Sequence, residues 1–291
     1  MQRVLVSRVR RLVFISWIIV MAVGALPIRQ ASGQNAEPEI TLQTLEESAR
    51  RAAARDRETV VSMMSLRTMF PDESVRALAR AAGNGNLSRI DELIEAGVDI
   101  NARGTSGATP LYWALRNRSG FEHLLERGAD PNVVFDDGDS ILHTTVNMRD
   151  NRFLELALAH GGDPDLRATS RNQTVLHEAA SWEGKDKVAL LLEAGADIDA
   201  QRSNGDTPII AAALFGQYDL VYELLERGAD YSIQDDYGNA LPEIIALTRP
   251  TMDPDNELTH WMSRVIDWLA MRGVEIPDDF NRGLKTESDD G

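Results

Sequence analysis

Apolar positions between residues 78 and 275 fall into pairs of short rows, separated by glycines and by polar loops. One row of each pair is small, as in Ala81 and Ala82, Ala114 and Leu115, Ala179 and Ala180, and Ala212 and Ala213. The following row is larger: Ile90, Leu93 and Ile94; Val188, Leu191 and Leu192; Val221, Leu224 and Leu225. Steps of three and four keep each row on one helical face. Each pair therefore predicts a short helix, a turn at a glycine such as Gly85 or Gly216, and a second amphipathic helix. A triplet closes every unit: Gly97-Val98-Asp99, Gly128-Ala129-Asp130, Gly161-Gly162-Asp163, Gly195-Ala196-Asp197, Gly228-Ala229-Asp230 and the weaker Gly273-Val274-Glu275. Their first glycines lie 31, 33, 34, 33 and 45 residues apart. Such a period predicts a stacked helical array, with each glycine as the left-handed cap of a helix.

The loops repeat as well. In Gly205-Asp206-Thr207-Pro208 a turn glycine precedes a threonine placed to cap a helix and a proline at its first position, where no amide donor is lost. Gly107-Ala108-Thr109-Pro110, Gly138-Asp139-Ser140-Ile141 and Asn172-Gln173-Thr174-Val175 hold the same register, and asparagine tolerates the left-handed region that glycine otherwise fills. The turn–helix–turn–helix unit resembles the ankyrin repeat from residue 78 to about 275, most closely at Thr109-Pro110-Leu111, at Thr174 with Leu176-His177 and Ala179-Ala180, and from Thr207 to Asp230. The resemblance implies an all-α solenoid of helix-turn-helix units with connecting β-turn loops. In it His143 and His177 brace adjacent turns. Departures mark the second unit, clipped between Arg116 and Gly120, and the third, where Thr145 and Val146 replace the small pair and Arg149 replaces the turn glycine. The sixth begins Ala240-Leu241-Pro242 and carries extra residues from Arg249 to His260. An atypical last unit is expected, because it shields the end of the stack.

Outside the array the pattern changes. Arg3, Arg8, Arg10 and Arg11 precede an apolar run from Leu12 to Leu26, ended by Pro27. Residues 1–33 read as an export signal, positive, then apolar, then small. An uncleaved anchor facing the periplasm is the competing reading, although fifteen residues rise only about 22 Å against a core of roughly 30 Å. Residues 34–77 read as a linker with N-terminal capping helices. Leu42, Leu45, Ala49, Ala52 and Ala53 outline one such helix, and Pro71 with Asp72 and Glu73 marks another helix start. The array spans 78–277, and 278–291 reads as an acidic tail.

The formal charge is −16; residues 1–33 hold five arginines and no acid, so without them 25 bases face 46 acids, a net of −21. A surface so acidic repels nucleic acid and anionic headgroups. There is no cysteine, which excludes disulfides and thiolate sites. None of the five histidines forms a His-x-x-x-His pair, and no phosphate loop, zinc spacing or serine elbow occurs. No cofactor, metal or catalysis is expected.

A protein partner is. The resemblance places Ser181-Trp182 and Leu214-Phe215 at outward positions of first helices, with Gln217 also left free to recognise a partner, beside the loop residues Arg171, Asn204, Asp206 and Tyr237. It adds Ala108, Trp113, Arg116, Asp136, Asp137, Asp139 and Met148 from the second and third units, giving an apolar centre with polar and acidic flanks. Leader, lid helix, irregular repeats and enlarged last unit resemble bacterial periplasmic members of the immunity or accessory kind found with type VI secretion toxins. That resemblance implies neutralisation of a secreted toxin, including the lipase type. A periplasmic adaptor in oxidative-stress or envelope maintenance and a host-directed secreted effector are the other readings.

Overall fold

The computed structural model describes residues 65–168, 172–181, 184–249 and 257–277, all within one compact unit, Met64–Gly291. The leader, the helix expected after Thr41 and the acidic tail lie outside the described residues. No helix among the described residues is long and apolar enough to cross a membrane.

A single turn, α1 (Leu66–Met69), leads into six helix pairs: α2 (Glu73–Gly83) with α3 (Leu87–Glu95), α4 (Pro110–Ala114) with α5 (Arg118–Glu126), α6 (Ile141–Val146) with α7 (Arg152–Ala159), α8 (Val175–Ser181) with α9 (Lys185–Glu193), α10 (Pro208–Leu214) with α11 (Tyr218–Glu226), and α12 (Leu241–Thr248) with α13 (Glu257–Ala270). First helices stack on first helices, α2 on α4, α6 on α8, α8 on α10 and α10 on α12, while α5 packs on α7 and α11 on α13. The result is the expected all-α ankyrin-repeat solenoid. Its loops hold one short antiparallel pair, β1 (Arg167–Ala168) with β2 (Gln173–Thr174), and an isolated bridge between Val134 and Ser140.

The small rows face inward because first helices approach closely. Ala82, Ala114, Ala179, Ala180, Ala212 and Ala213 are fully buried, as are Leu124, Leu154, Leu191 and Leu224 of the second helices. Each such leucine contributes about 1.5–3 kcal/mol. Gly120 shows how close the approach is. A Cβ there would stand 1.9 Å from the Ala82 carbonyl oxygen, so the clipped second unit brings α5 directly against α2. In the third unit Thr145 is fully buried but donates its hydroxyl to Leu142 O at 2.8 Å, which lets it replace an alanine.

Neighbouring loops are joined by a hydrogen-bond ladder. The aspartate of each closing triplet accepts from the amide two residues on, at Asn101, Asn132, Asp165, Asp199 and Ser232. Those second residues in turn accept from the next aspartate amide, Asp130 to Asn101 at 2.8 Å, Asp163 to Asn132 at 2.7 Å, and Asp197 to Asp165 and Asp230 to Asp199 at 2.9 Å. The recurrent acids are thus scaffold.

Two local expectations change. α2 begins two residues later than a proline at the first helical position implies, because Asp72 is its cap and accepts from Ser74 N and Val75 N. Thr207 caps nothing with its side chain, and its Oγ1 is buried without a partner. The sequence differs three residues on. Ser140 and Thr174 hold their hydroxyls against His143 Nδ1 at 2.7 Å and His177 Nδ1 at 2.8 Å, whereas the fifth unit has Ile210 at that place.

Candidate functional site

The first helices each start from an extended cap residue, so a fixed count from the cap reaches a fixed place on the stack. Seven positions after Thr109, Ser140, Thr174, Thr207 and Ala240 come Arg116, Asn147, Ser181, Leu214 and Leu247; eight after the second and fourth of these caps come Met148 and Phe215. Arg116, Asn147 and Leu247 are exposed, while Met148, Ser181, Leu214 and Phe215 are half-buried. The row runs from polar at the second unit to apolar at the fifth and sixth.

At the polar end, Trp113 is half-buried against Gly83, where an added Cβ would meet its ring at 2.6 Å. The Arg116 guanidinium lies 3.7 Å from that ring's centroid, an orienting cation–π contact. At Met148 the backbone matters more than the side chain. Lys187 on α9 donates to the carbonyls of Val146 and, at 2.5 Å, Met148, and so covers the C-terminal end of α6 from the next unit. Gln217 does the same one unit later, giving its amide to Ala180 O at 2.6 Å.

The loop tips form a second edge. Asp136 and Asp137 are exposed; the Asp136 amide donates to Ser106 O at 3.1 Å, and its carboxylate lies 3.3 Å from Arg103 Nη2. Asp236 repeats this contact with Asn204 O at 3.0 Å. Asp139 is half-buried, and its carboxyl is pushed up to about 6, first by desolvation and then by nearby Asp137, against the Ser140 amide bond that lowers it. Tyr237 is 78% exposed at the last tip, its amide tied to Asp235 Oδ1 at 2.9 Å.

Four expected surface residues are in fact interior or structural. Asp206 is 2% exposed and held by Arg202 and, at 2.9 Å, by Asn204 Nδ2, because burying a carboxylate demands a charged partner. Ala108 is fully buried beneath its loop. Gln217, at 5% exposure, spends its amide on the preceding unit. Asn204 turns inward to Asp206. Arg171 and Trp182 lie outside the described residues. Leu247, 41% exposed, belongs to the row beyond the residues expected from the sequence; its signal is the 33-residue step from Leu214.

The two repeated histidines are internal braces, not proton-transfer groups. His177 Nε2 donates to Asp206 O at 3.0 Å while Nδ1 accepts from Thr174, and burial lowers its pKa to about 4, so it is neutral near pH 7. His143 is also lowered, mainly by burial, and reaches Gln173 O at 3.4 Å.

Three overlapping matches to the family model for ankyrin repeats (3 copies) cover residues 51–135, 118–202 and 142–235. Among curated relatives, Protein PhlB of Serratia liquefaciens is 35% identical over 147 residues, half of this chain and 64% of that protein. Palmitoyltransferase AKR1 of Lachancea kluyveri is 32% identical over 165 residues, 55% of this chain but only 22% of that protein. The match thus spans less than two thirds of either relative. Among solved structures, the ankyrin repeat domain of Bcl-3 superposes with a TM-score of 0.57 at 27% identity, covering 65% of this chain and 85% of that one. A complex of a predatory endopeptidase from Bdellovibrio bacteriovorus with an immunity protein contains a chain of the same fold, with a TM-score of 0.53 at 22% identity, covering 65% and 97%. This fold is a non-catalytic scaffold for protein–protein interaction. On the stacked helix pairs, the loop ladder and these matches, the chain belongs to the ankyrin-repeat family.

Proposed function

We propose that this chain is an exported binder that neutralises a toxin by covering its working surface with the row along the first helices. The observation that carries the reading is the change in that row from Arg116 and Asn147 to Leu214, Phe215 and Leu247, with Tyr237 78% exposed at the last loop tip. Apolar side chains left at repeated outward positions of a rigid stack, flanked by polar ones, have the anatomy of a binding centre and rim. The basic-then-apolar leader supports export to the periplasm. The Bdellovibrio complex supports neutralisation as a use to which such a scaffold is put. A lipase-type toxin is the target class implied by the leader, lid and irregular repeats.

Co-production with the partner that the mature chain retains in affinity capture from periplasm, identified by mass, tests this. The wild-type chain is expected to form a one-to-one complex and protect the producing cell, and Leu214→Glu with Leu247→Glu to lose both while still folding. Absence of any complex, or equal protection by the double variant, contradicts the proposal; envelope or peroxide sensitivity without toxin sensitivity in a deletion strain points to an adaptor instead.

A further inference from the structure

The last helix carries a second set of interface-like residues, away from the first-helix row. Trp261, Arg264 and Trp268 on α13, with Arg272 just past its end, follow one another at steps of three, four and four, so they share one helical stripe. The Arg264 guanidinium lies 4.6 Å from the Tyr222 ring centroid and 4.4 Å from that of Trp261, two rings that are themselves 5.7 Å apart. Arg272 lies 3.3 Å over Trp268 and donates to its carbonyl at 3.1 Å. Trp268 is fixed in turn, edge-on to Tyr231 and donating Nε1 to Glu226 Oε1 at 2.6 Å.

Both arginines are exposed. Some guanidiniums elsewhere are matched by acids, Arg89 with Glu92, Arg127 with Asp91, Arg152 with Glu155 and Arg227 with Glu223, while Arg116 is stacked on Trp113. Arg264 and Arg272 make no ion pair among the described residues. Met271 next to them is 77% exposed. An arginine stacked on rings has already lost rotamer freedom, so its N–H edge meets a ligand at reduced entropic cost. That planar edge fits a carboxylate bidentately. The net charge of −16 opposes every anion at long range, so attraction at this stripe is confined to the two guanidiniums within about a Debye length, which suits a short acidic segment better than a membrane or a nucleic acid. Tyrosine, tryptophan and arginine together are the residues that dominate binding energy at protein interfaces.

We propose that Arg264 and Arg272, held on Tyr222, Trp261 and Trp268, form a second docking surface that takes neighbouring Asp or Glu side chains from an acidic segment of a protein partner. It stands on the second helices of the last two units and does not depend on the row that contains Leu214.

Titration of the full chain with a hexaglutamate peptide tests it, in about 0.15 M salt where screening confines the chain's own repulsion to roughly 8 Å. Calorimetry and tryptophan emission are read together. Saturable binding is expected, at least about tenfold weaker in Arg264→Gln with Arg272→Gln, intermediate in Arg264→Lys, which keeps the charge but not the fork, and unchanged in Leu214→Glu with Leu247→Glu. Circular dichroism melting confirms that the variants fold, and Arg264→Lys serves if the double variant does not. No saturation, equal binding by the arginine variants, or tighter binding of inorganic phosphate than of the peptide overturns the proposal.

Discussion

Thr174 and Thr207 occupy the same place in consecutive units, both fully buried, yet only the first has a partner for its hydroxyl. Removing a satisfied buried hydroxyl leaves its partner unpaired at about 1–3 kcal/mol, whereas removing an unsatisfied one relieves a desolvation penalty. Thr174→Val is therefore expected to destabilise by about 1–3 kcal/mol, and Thr207→Val to be neutral or stabilising, as read from urea unfolding. The loop ladder offers a similar contrast. Asn101 and Asn132 accept one hydrogen bond and donate another, to Gly128 O at 3.4 Å and Gly161 O at 2.9 Å. Asp199 accepts only, and its pKa is raised by desolvation and by Asp230 and Asp197. Asp199→Asn is expected to stabilise by about 0.5–1.5 kcal/mol, a gain absent for Asn132→Asp, which should lose a comparable amount.

Among the elements, α6 is braced by its neighbour. Its unit lacks the turn glycine, and the carbonyls at its end are met by the Lys187 ammonium from α9. A cation at a helix C-terminus is favourable both to the dipole and to the free carbonyls. Lys187→Met is expected to cost about 1–3 kcal/mol and to speed amide exchange at 141–149 more than at 208–226; uniform exchange throughout would mean that the lysine does not brace this unit in particular. The pairing of helices was legible because glycine, threonine and the alanine rows mark single-residue requirements that repeat. The braces between units were not, since Lys187, Gln217 and Glu226 are ordinary surface types whose partners lie 37–42 residues away. Asp206 misled for the same reason. Its place at a loop tip is visible in the pattern, but the arginine four residues earlier that draws it inward acquires meaning only once the loop is folded.

On the scale of the whole molecule, acid and base dependence comes from opposed groups. The folded-state pKa of His177, about 4, lies below the ordinary 6.5, so stability fully present above pH 6.5 is lost as pH falls through 4. The shift corresponds to about 3 kcal/mol at about 1.36 kcal/mol per unit. Asp139 acts the other way; its carboxyl is raised from 3.8 to about 6, so stability present below pH 3.8 is lost as pH rises through 6. Unfolding between pH 4 and 7 is expected to show a shallower acid loss in His177→Gln and a steeper one in Asp139→Asn. Asp139 sits in the loop before α6 and His177 on α8, in neighbouring units of one stack, and a nearest-neighbour array transmits each locally.

The stack leaves Leu214, Phe215 and Leu247 outward, and the central claim is that they bind. The affinity of the purified chain for the partner it captures from periplasm, compared between wild type and Leu214→Glu with Leu247→Glu, measures this directly. A loss of about 2 kcal/mol or more, roughly thirtyfold in Kd, with melting unchanged, is the predicted result. Equal affinity in a folded double variant would contradict it.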